Sequence, residues 1–525
     1  MPDIVIVGAG IGGVSFAIAL KRQLGFDDFT IYEKASDVGG TWRDNIYPGA
    51  SSDINMHFYS LSTDLNSDWP STHGSQEDTQ EYWQKLTQKY DLYRHIVFNC
   101  LVVAAEWNAK EQLYHIATED VLTGTRISTT AKVLISALGL LEVPRFPKIP
   151  GIASFKGEIF HSARWDTGVD LRGKRVAVIG NGASATQFVP IISQDATVQV
   201  TEFCRTPNWF FPPIRADYSP LWKWTFRNIP FVMKFYRFLL YLRSELLYWF
   251  VFAHSGLRPK YTAIAKGYIS RTAPKKDLEH LIPTYSLGCK RVVFDTNFLA
   301  ALHRPNVSLN WDRIQSICDD GIITKKGDKL AFDVMIFATG FTTDRFPLPI
   351  VGNTGRTVQD YYDTQGGPKA YLGTTVPGFP NLFLLSGPNT ATGHTSVILT
   401  EEIQINYIIK FVKPILDGLV HTFDVTAEAT NDYNDKIHAR LARSVFVGCV
   451  SWYRSGSDGK VSSIFPGPMM LYWWWLRQPQ WSDYRVMATH GWDRQLRSER
   501  LKRLFSPTFY VGLLMGKLVS WISGS

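Results

Sequence analysis

Two short apolar strands each run into a glycine turn, Ile4-Val-Ile-Val-Gly-Ala-Gly and, far along the chain, Val176-Ala-Val-Ile-Gly-Asn-Gly. This duplication predicts an α/β protein of two doubly wound, Rossmann-like dinucleotide-binding domains. Length and composition agree: 525 residues, 45% hydrophobic and only 19% charged, suffice for two or three packed domains and exclude a disordered chain. A third observation, an aromatic stretch of helical spacing within residues 213–286, adds a helical insert to the second domain.

The first turn, Gly8-Ala-Gly10-Ile-Gly12-Gly13, lies between the strand Val5 to Val7 and an apolar-periodic helix from Val14 to Leu24. In a GxGxxG turn the first glycine (Gly8) bends the chain tightly. The second (Gly10) lets backbone approach a pyrophosphate, and the third (Gly13) lets helix and strand pack closely. The helix N-terminus then offers unpaired N–H groups to the phosphates. Twenty residues beyond Gly13, at the end of the strand Phe29 to Tyr32, stands Glu33. A carboxylate there accepts from a ribose 2′-OH and repels a 2′-phosphate, which predicts FAD or NAD rather than NADP.

The second turn, Gly180-Asn-Gly182-Ala-Ser-Ala185, replaces the third glycine by alanine, whose methyl still fits between helix and strand. The residue twenty beyond Ala185 is now Arg205, followed by Thr206. A guanidinium grips a 2′-phosphate at two points, which predicts NADPH. Glu202 on the same strand offers the competing reading, a free ribose and NADH.

The net charge of +8 is scattered rather than run together, which argues against a nucleic-acid partner and suits anionic small molecules. Five widely spaced cysteines without a CxxC pair argue against a disulfide framework, a zinc ribbon or a dithiol centre, and for a reducing compartment. No HExxH or clustered His/Cys spacing supports a metal site, and no GxSxG elbow supports a serine nucleophile. The N-terminus lacks a basic region and cleavage site, so the expectation is a cytoplasmic, non-secreted protein. Trp222 to His254 is broken by Lys223, Arg227, Lys234, Arg237, Arg243 and Glu245, and reads as amphipathic helices rather than a membrane span. Basic residues from Arg494 to Arg503 precede the apolar stretch Phe505 to Ile522, which reads either as a packed terminal helix or as a peripheral membrane contact. The 17 Trp, 23 Tyr and 32 Phe concentrate in the insert and in residues 452–481. Those stripes, and the run Met469 to Trp475, read as core or as walls of a pocket for a large apolar molecule.

Phe155-x-Gly157-xxx-His161-xxx-Trp165-Asp166 resembles the FxGxxxHxxxW(P/D) fingerprint of Baeyer–Villiger monooxygenases, a branch of the class B flavoprotein monooxygenases. Gly39-Gly-Thr-Trp42, Tyr47-Pro-Gly-Ala-Ser-Ser-Asp53, Lys290-Arg291, Ala338-Thr-Gly-Phe341 and Tyr371 to Asn381 resemble the same family, and the segments after residue 397 are most similar to its fungal-type members. The resemblance implies FAD and NADPH as cofactors. It implies an activity in which NADPH reduces FAD, O2 adds to the flavin as a C4a-peroxide, and one oxygen atom enters next to the carbonyl of an apolar, bulky ketone to give an ester or lactone. Arg291 matches the family's catalytic arginine and Asp53 the aspartate that orients it. Gly40, Thr41 and Trp42 are expected beside the isoalloxazine or the pyrophosphate, Ser386 to Asn389 before a long helix facing the flavin, and His161 as a hinge hydrogen-bonder. Tyr59, Val102, Ser184 and Gln187 complete the expected cofactor-binding set.

The organisation implied is an FAD domain from residues 1–141 and 342–525, an NADPH domain from 150–212 and 287–341, and the insert 213–286. Ser51 and Ser52 stand where relatives carry bulkier or cationic residues, which bears on substrate scope. Two other readings remain: oxygenation at nitrogen or sulfur, and a nucleotide-binding redox sensor without oxygenating activity. Oligomeric state is not legible.

Overall fold

The structure is a computed structural model and describes residues 2–253, 256–455 and 459–504, the side chains of 499–504 excepted. The apolar stretch Phe505 to Ile522, with its two readings, lies outside the described residues.

The first glycine strand, β1 (Ile4–Val7), is wholly buried, which explains its unbroken β-branched run: a parallel strand covered on both faces has no polar side. It pairs in parallel with β2 (Phe29–Tyr32) on one side, and β3 (Ile96–Val97) extends that edge. On its other side lie β4 (Val133–Ser136) and, from much later in the chain, a strand at Leu382–Leu384. Helix α1 (Ile11–Ala19) leaves the glycine turn and continues as a π-helical turn to Leu24.

The second sheet repeats this plan. Its central strand β6 (Arg175–Ile179) is flanked in parallel by β7 (Gln199–Phe203) and β9 (Val334–Phe337), with β8 (Val307–Asn310) and β5 (Glu158–His161) at the edges. Helix α2 (Ala183–Ile192) follows its turn. The two turns match in detail: Gly8 has φ +102° and Gly180 φ +103°, and a Cβ would stand 2.8 Å from the Ala137 carbonyl oxygen in one and 2.6 Å from that of Ala338 in the other. No L side chain tolerates either position. Two doubly wound parallel sheets are the fold class that the duplicated turns predicted.

The stretch between β7 and β8 carries the helices α3 (Pro220–Asn228), α4 (Val232–Leu247) and α5 (Arg258–Thr272). After the strand at Leu382–Leu384, hereafter β10, come α6 (Val397–Leu416) and α7 (Met469–Leu476). An antiparallel sheet of Cys100–Asn108, Leu113–Asp120 and Arg126–Ala131 covers the first domain, with Ile350–Val351 at its edge.

The cysteine expectation requires correction. Cys289 and Cys449 form a disulfide across 160 residues of chain, their Cα atoms 6.1 Å apart. Sequence spacing carries no information on a pairing that only the packing of two distant loops creates. Among the described residues, no helix is long and apolar enough to cross a membrane.

Candidate active site

Both glycine turns open into one cavity of about 1210 Å³. That exceeds the roughly 300–1,000 Å³ of a site for one small ligand. On its first side, Gly10 is the N-cap of α1 and no side chain caps the helix, so the first-turn N–H groups remain open to an anion. A Cβ on Gly40 would lie 3.0 Å from the Gly10 Cα: the two backbones form a cradle that only glycine leaves free. Glu33 lines the cavity, accepting from the N–H of Ala9 at 2.7 Å and of Ala35 at 2.9 Å. Burial raises its pKa and these backbone donors counter the rise. Thr41, Trp42, Tyr59 and Val102 line the same side, and the Trp42 indole donates to the Tyr59 hydroxyl at 3.0 Å. These features fit a flavin dinucleotide.

On the second side, Gly182 is the N-cap of α2, again without a side-chain cap, and Gly180, Ser184 and Gln187 line the wall. Gln187 accepts from the Tyr47 hydroxyl and donates to Ser51, joining α2 to the segment before Asp53. Gly13 and Ala185 do not line the cavity; both are buried where helix packs on strand. Arg205 and Thr206 face the cavity and are joined by Lys290, whose ammonium donates to the Thr206 hydroxyl. Burial and the neighbouring Arg205 push Lys290 down to about 8. Glu202 is turned away: it is fully buried, lines no part of the cavity, and neither carboxylate oxygen has a hydrogen-bond partner. Burial pushes it up to about 8. Of the two readings, the cations Arg205 and Lys290 with the Thr206 hydroxyl therefore meet the ligand space, and they fit a 2′-phosphate.

Between the two sides, Arg291 donates to Asp53 through Nε at 2.8 Å and Nη2 at 2.6 Å, a two-point ion pair. The Asp53 charge raises the arginine's pKa above its already high value, so it is cationic at every working pH. Tyr59 and Tyr453 stand close enough to contribute to its field. The disulfide lies beside this centre, because Cys289 precedes Lys290 while Cys449 precedes the cavity-lining Val450, Ser451 and Trp452.

His161 lines the cavity, its Nδ1 accepting from the Ala163 N–H at 3.1 Å, and burial lowers it to about 4, so the imidazole is neutral. Cys318, Asp319 and Asp320 form a three-ligand cluster on an exposed hairpin, and none of them lines the cavity.

The family now has a match to this geometry. Residues 2–354 fit the model of the flavin-binding monooxygenase-like family. The chain belongs to that family. A Baeyer–Villiger monooxygenase of Pseudomonas aeruginosa is 35% identical over 93% of this chain and 92% of its own length. The FAD-binding monooxygenase ktnD of Aspergillus niger is 33% identical over 92% of this chain and 81% of its own length. Among solved structures, OTEMO in complex with FAD and NADP superposes with a TM-score of 0.82 at 26% identity, covering 92% of this chain and 99% of that one.

Of the two readings of the aromatic stripes, the cavity lining favours no pocket wall: among the described residues, none of the insert 213–286 and none of Met469 to Trp475 lines the cavity, and of the segment 452–481 Trp452 alone does. Met469, Leu471, Tyr472 and Leu476 of α7 are buried in the core instead. Sequence reasoning also passed over Glu401. This α6 residue lines the cavity beside Gly12, accepts from the Ser386 hydroxyl at 2.8 Å, and leaves its other oxygen without a partner. Burial pushes it up to about 7. The adjacent acids Glu401 and Glu402 near the start of a largely apolar helix were the available signal.

Proposed function

We propose that this protein is an FAD-dependent, NADPH-consuming Baeyer–Villiger-type monooxygenase acting on an apolar, bulky ketone. The observation that carries the reading is the Arg291–Asp53 ion pair standing between two uncapped glycine-turn helix N-termini in one cavity. The turn of the first sheet would hold FAD, with Glu33 toward its ribose, and the turn of the second NADPH, with Arg205, Thr206 and Lys290 on the 2′-phosphate. When bound, FAD reduced by NADPH activates O2 and delivers one oxygen atom to the substrate. The balance is ketone, O2, NADPH and a proton giving ester or lactone, NADP⁺ and water.

The chain's own part is electrostatic. Charge develops on the carbonyl oxygen as the carbon–oxygen bond forms, and a fixed guanidinium beside it lowers that barrier without reorganisation. Asp53 holds Arg291 in one rotamer, so the cation is positioned before substrate arrives. Trp42, Tyr59, Val450 and Trp452 supply apolar wall near this centre, which supports an apolar substrate.

The test is product analysis with purified protein, FAD, NADPH, isotopically labelled oxygen and a panel of ketones, amines and sulfides. An ester or lactone carrying one labelled oxygen is expected. Amine or sulfide oxides without any ester would overturn the reading in favour of heteroatom oxygenation, and absence of bound flavin would overturn it altogether.

A further inference from the structure

Helix α4 is amphipathic in the inverted sense. Its buried residues are Arg237, Ser244 and Glu245, whereas Phe231 before it and Phe235, Phe238, Leu239, Leu242 and Leu246 along it form an exposed stripe at helical spacing. The inward face is bolted down. Arg237 donates to the backbone carbonyls of His57, Phe58 and Ser60 and pairs with Glu402, while Glu245 accepts from the N–H groups of Met469 and Met470 at the start of α7. Turning the apolar stripe inward would break all of these bonds and strand two buried charges, so the stripe stays at the surface.

The preceding helix extends the patch: Leu221, Trp222 and Trp224 of α3 are all at least half exposed. At the corner between the two helices Phe231 is 78% exposed with φ +65°, a strained conformation for a bulky residue that contributes nothing to the core. Large apolar side chains left exposed on two neighbouring helices mark an interaction site.

Charge selects the occupant. From Pro220 to Ala253 the chain carries Lys223, Arg227, Lys234, Arg237 and Arg243 against Glu245 alone, and that acid is buried. Lys234 and Arg243 lie exposed on the two flanks of the apolar stripe, and Arg227 pairs with Asp68. A symmetric second copy would bring these cations against their own equivalents. An anionic, partly apolar surface complements them. Exposed Trp and Phe bordered by Lys and Arg on two adjacent helices is the pattern of a segment lying in the plane of a bilayer interface.

We propose that the exposed face of α3 and α4 docks this protein onto the anionic surface of a lipid bilayer, which would give the enzyme access to apolar compounds partitioned there. The docking surface does not rest on the assigned reaction, since none of its residues lines the cavity.

The test uses the flavin-loaded full chain and floated vesicles of phosphatidylcholine and phosphatidylserine at about 7:3, against phosphatidylcholine alone, at about 0.15 M salt. Binding to the mixed vesicles about tenfold above the neutral ones is expected, with a loss of about tenfold or more in Phe231→Ser/Phe235→Ser/Phe238→Ser. Lys234→Gln/Arg243→Gln should fall to the neutral-vesicle level. As a readout on folded protein, brominated lipid should quench a fluorescence component that disappears in Trp222→Phe/Trp224→Phe. The proposal is overturned if the native chain does not bind the mixed vesicles, or if the triple variant binds them as well as the native chain. It is equally overturned if the quenched component survives the tryptophan substitutions, or if the stripe serves only a concentration-dependent dimer that the triple variant abolishes.

Discussion

Arg291 and Asp53, separated by 238 positions in the chain, meet in a two-point ion pair whose side chains are 34% and 31% exposed toward the cavity. The pair joins the second domain's cation to the first domain's loop. Removing either member should therefore alter oxygenation while sparing the nucleotide sites. Arg291→Ala should lower product formation by about 100-fold or more while NADPH still reduces the flavin in stopped-flow measurements. Arg291→Lys keeps a charge but not the two-point geometry and should recover little of the loss. Asp53→Ala should cost about 10–100-fold in the same assay, since the cation persists without its fixed rotamer.

The coenzyme preference should follow the cation cluster. Arg205→Ala should raise KM for NADPH by about tenfold or more and leave KM for NADH nearly unchanged. Glu202→Gln should leave the NADPH-to-NADH ratio unaltered, because Glu202 does not reach the cavity.

Lys290 makes that preference depend on pH. Its pKa is lowered to about 8, so it is cationic below that value and neutral above it. KM for NADPH should rise as pH passes through about 8, while KM for NADH stays flat; Lys290→Met should abolish the difference.

Glu401 carries a stability signature. Its folded-state pKa, about 7, lies above the ordinary 4.5, so folding takes up a proton in that window. The stability it contributes is fully present below about pH 4.5 and lost as pH rises through 7. Thermal unfolding of the flavin-free protein should show Glu401→Gln gaining on the native chain at about pH 8 relative to about pH 5. An equal difference at both would remove the assignment.

The disulfide should appear as a linked Cys289–Cys449 peptide in non-reducing mass mapping. Cys449→Ser should cost about 2–5 kcal/mol of stability, read as a fall in Tm of several degrees.

What the amino-acid sequence determined alone is local and periodic. Strand, glycine turn and helix follow one another within some twenty residues, and the geometry of that turn admits few side chains, so Gly8 to Gly13 and Gly180 to Ala185 were legible without any tertiary contact. The resemblance to a known family supplied Arg291 and Asp53; no spacing rule links residues 238 positions apart. Tertiary structure decided the remainder. It joined Cys289 to Cys449, brought Lys290 to Arg205 and Thr206, buried Glu202, and aimed Glu401 into the cavity. It also settled which face of α4 looks outward. Helical periodicity identifies a stripe but not its direction, and here a buried guanidinium and a buried carboxylate, each satisfied by backbone of another segment, outweigh the apolar face and leave it in solvent.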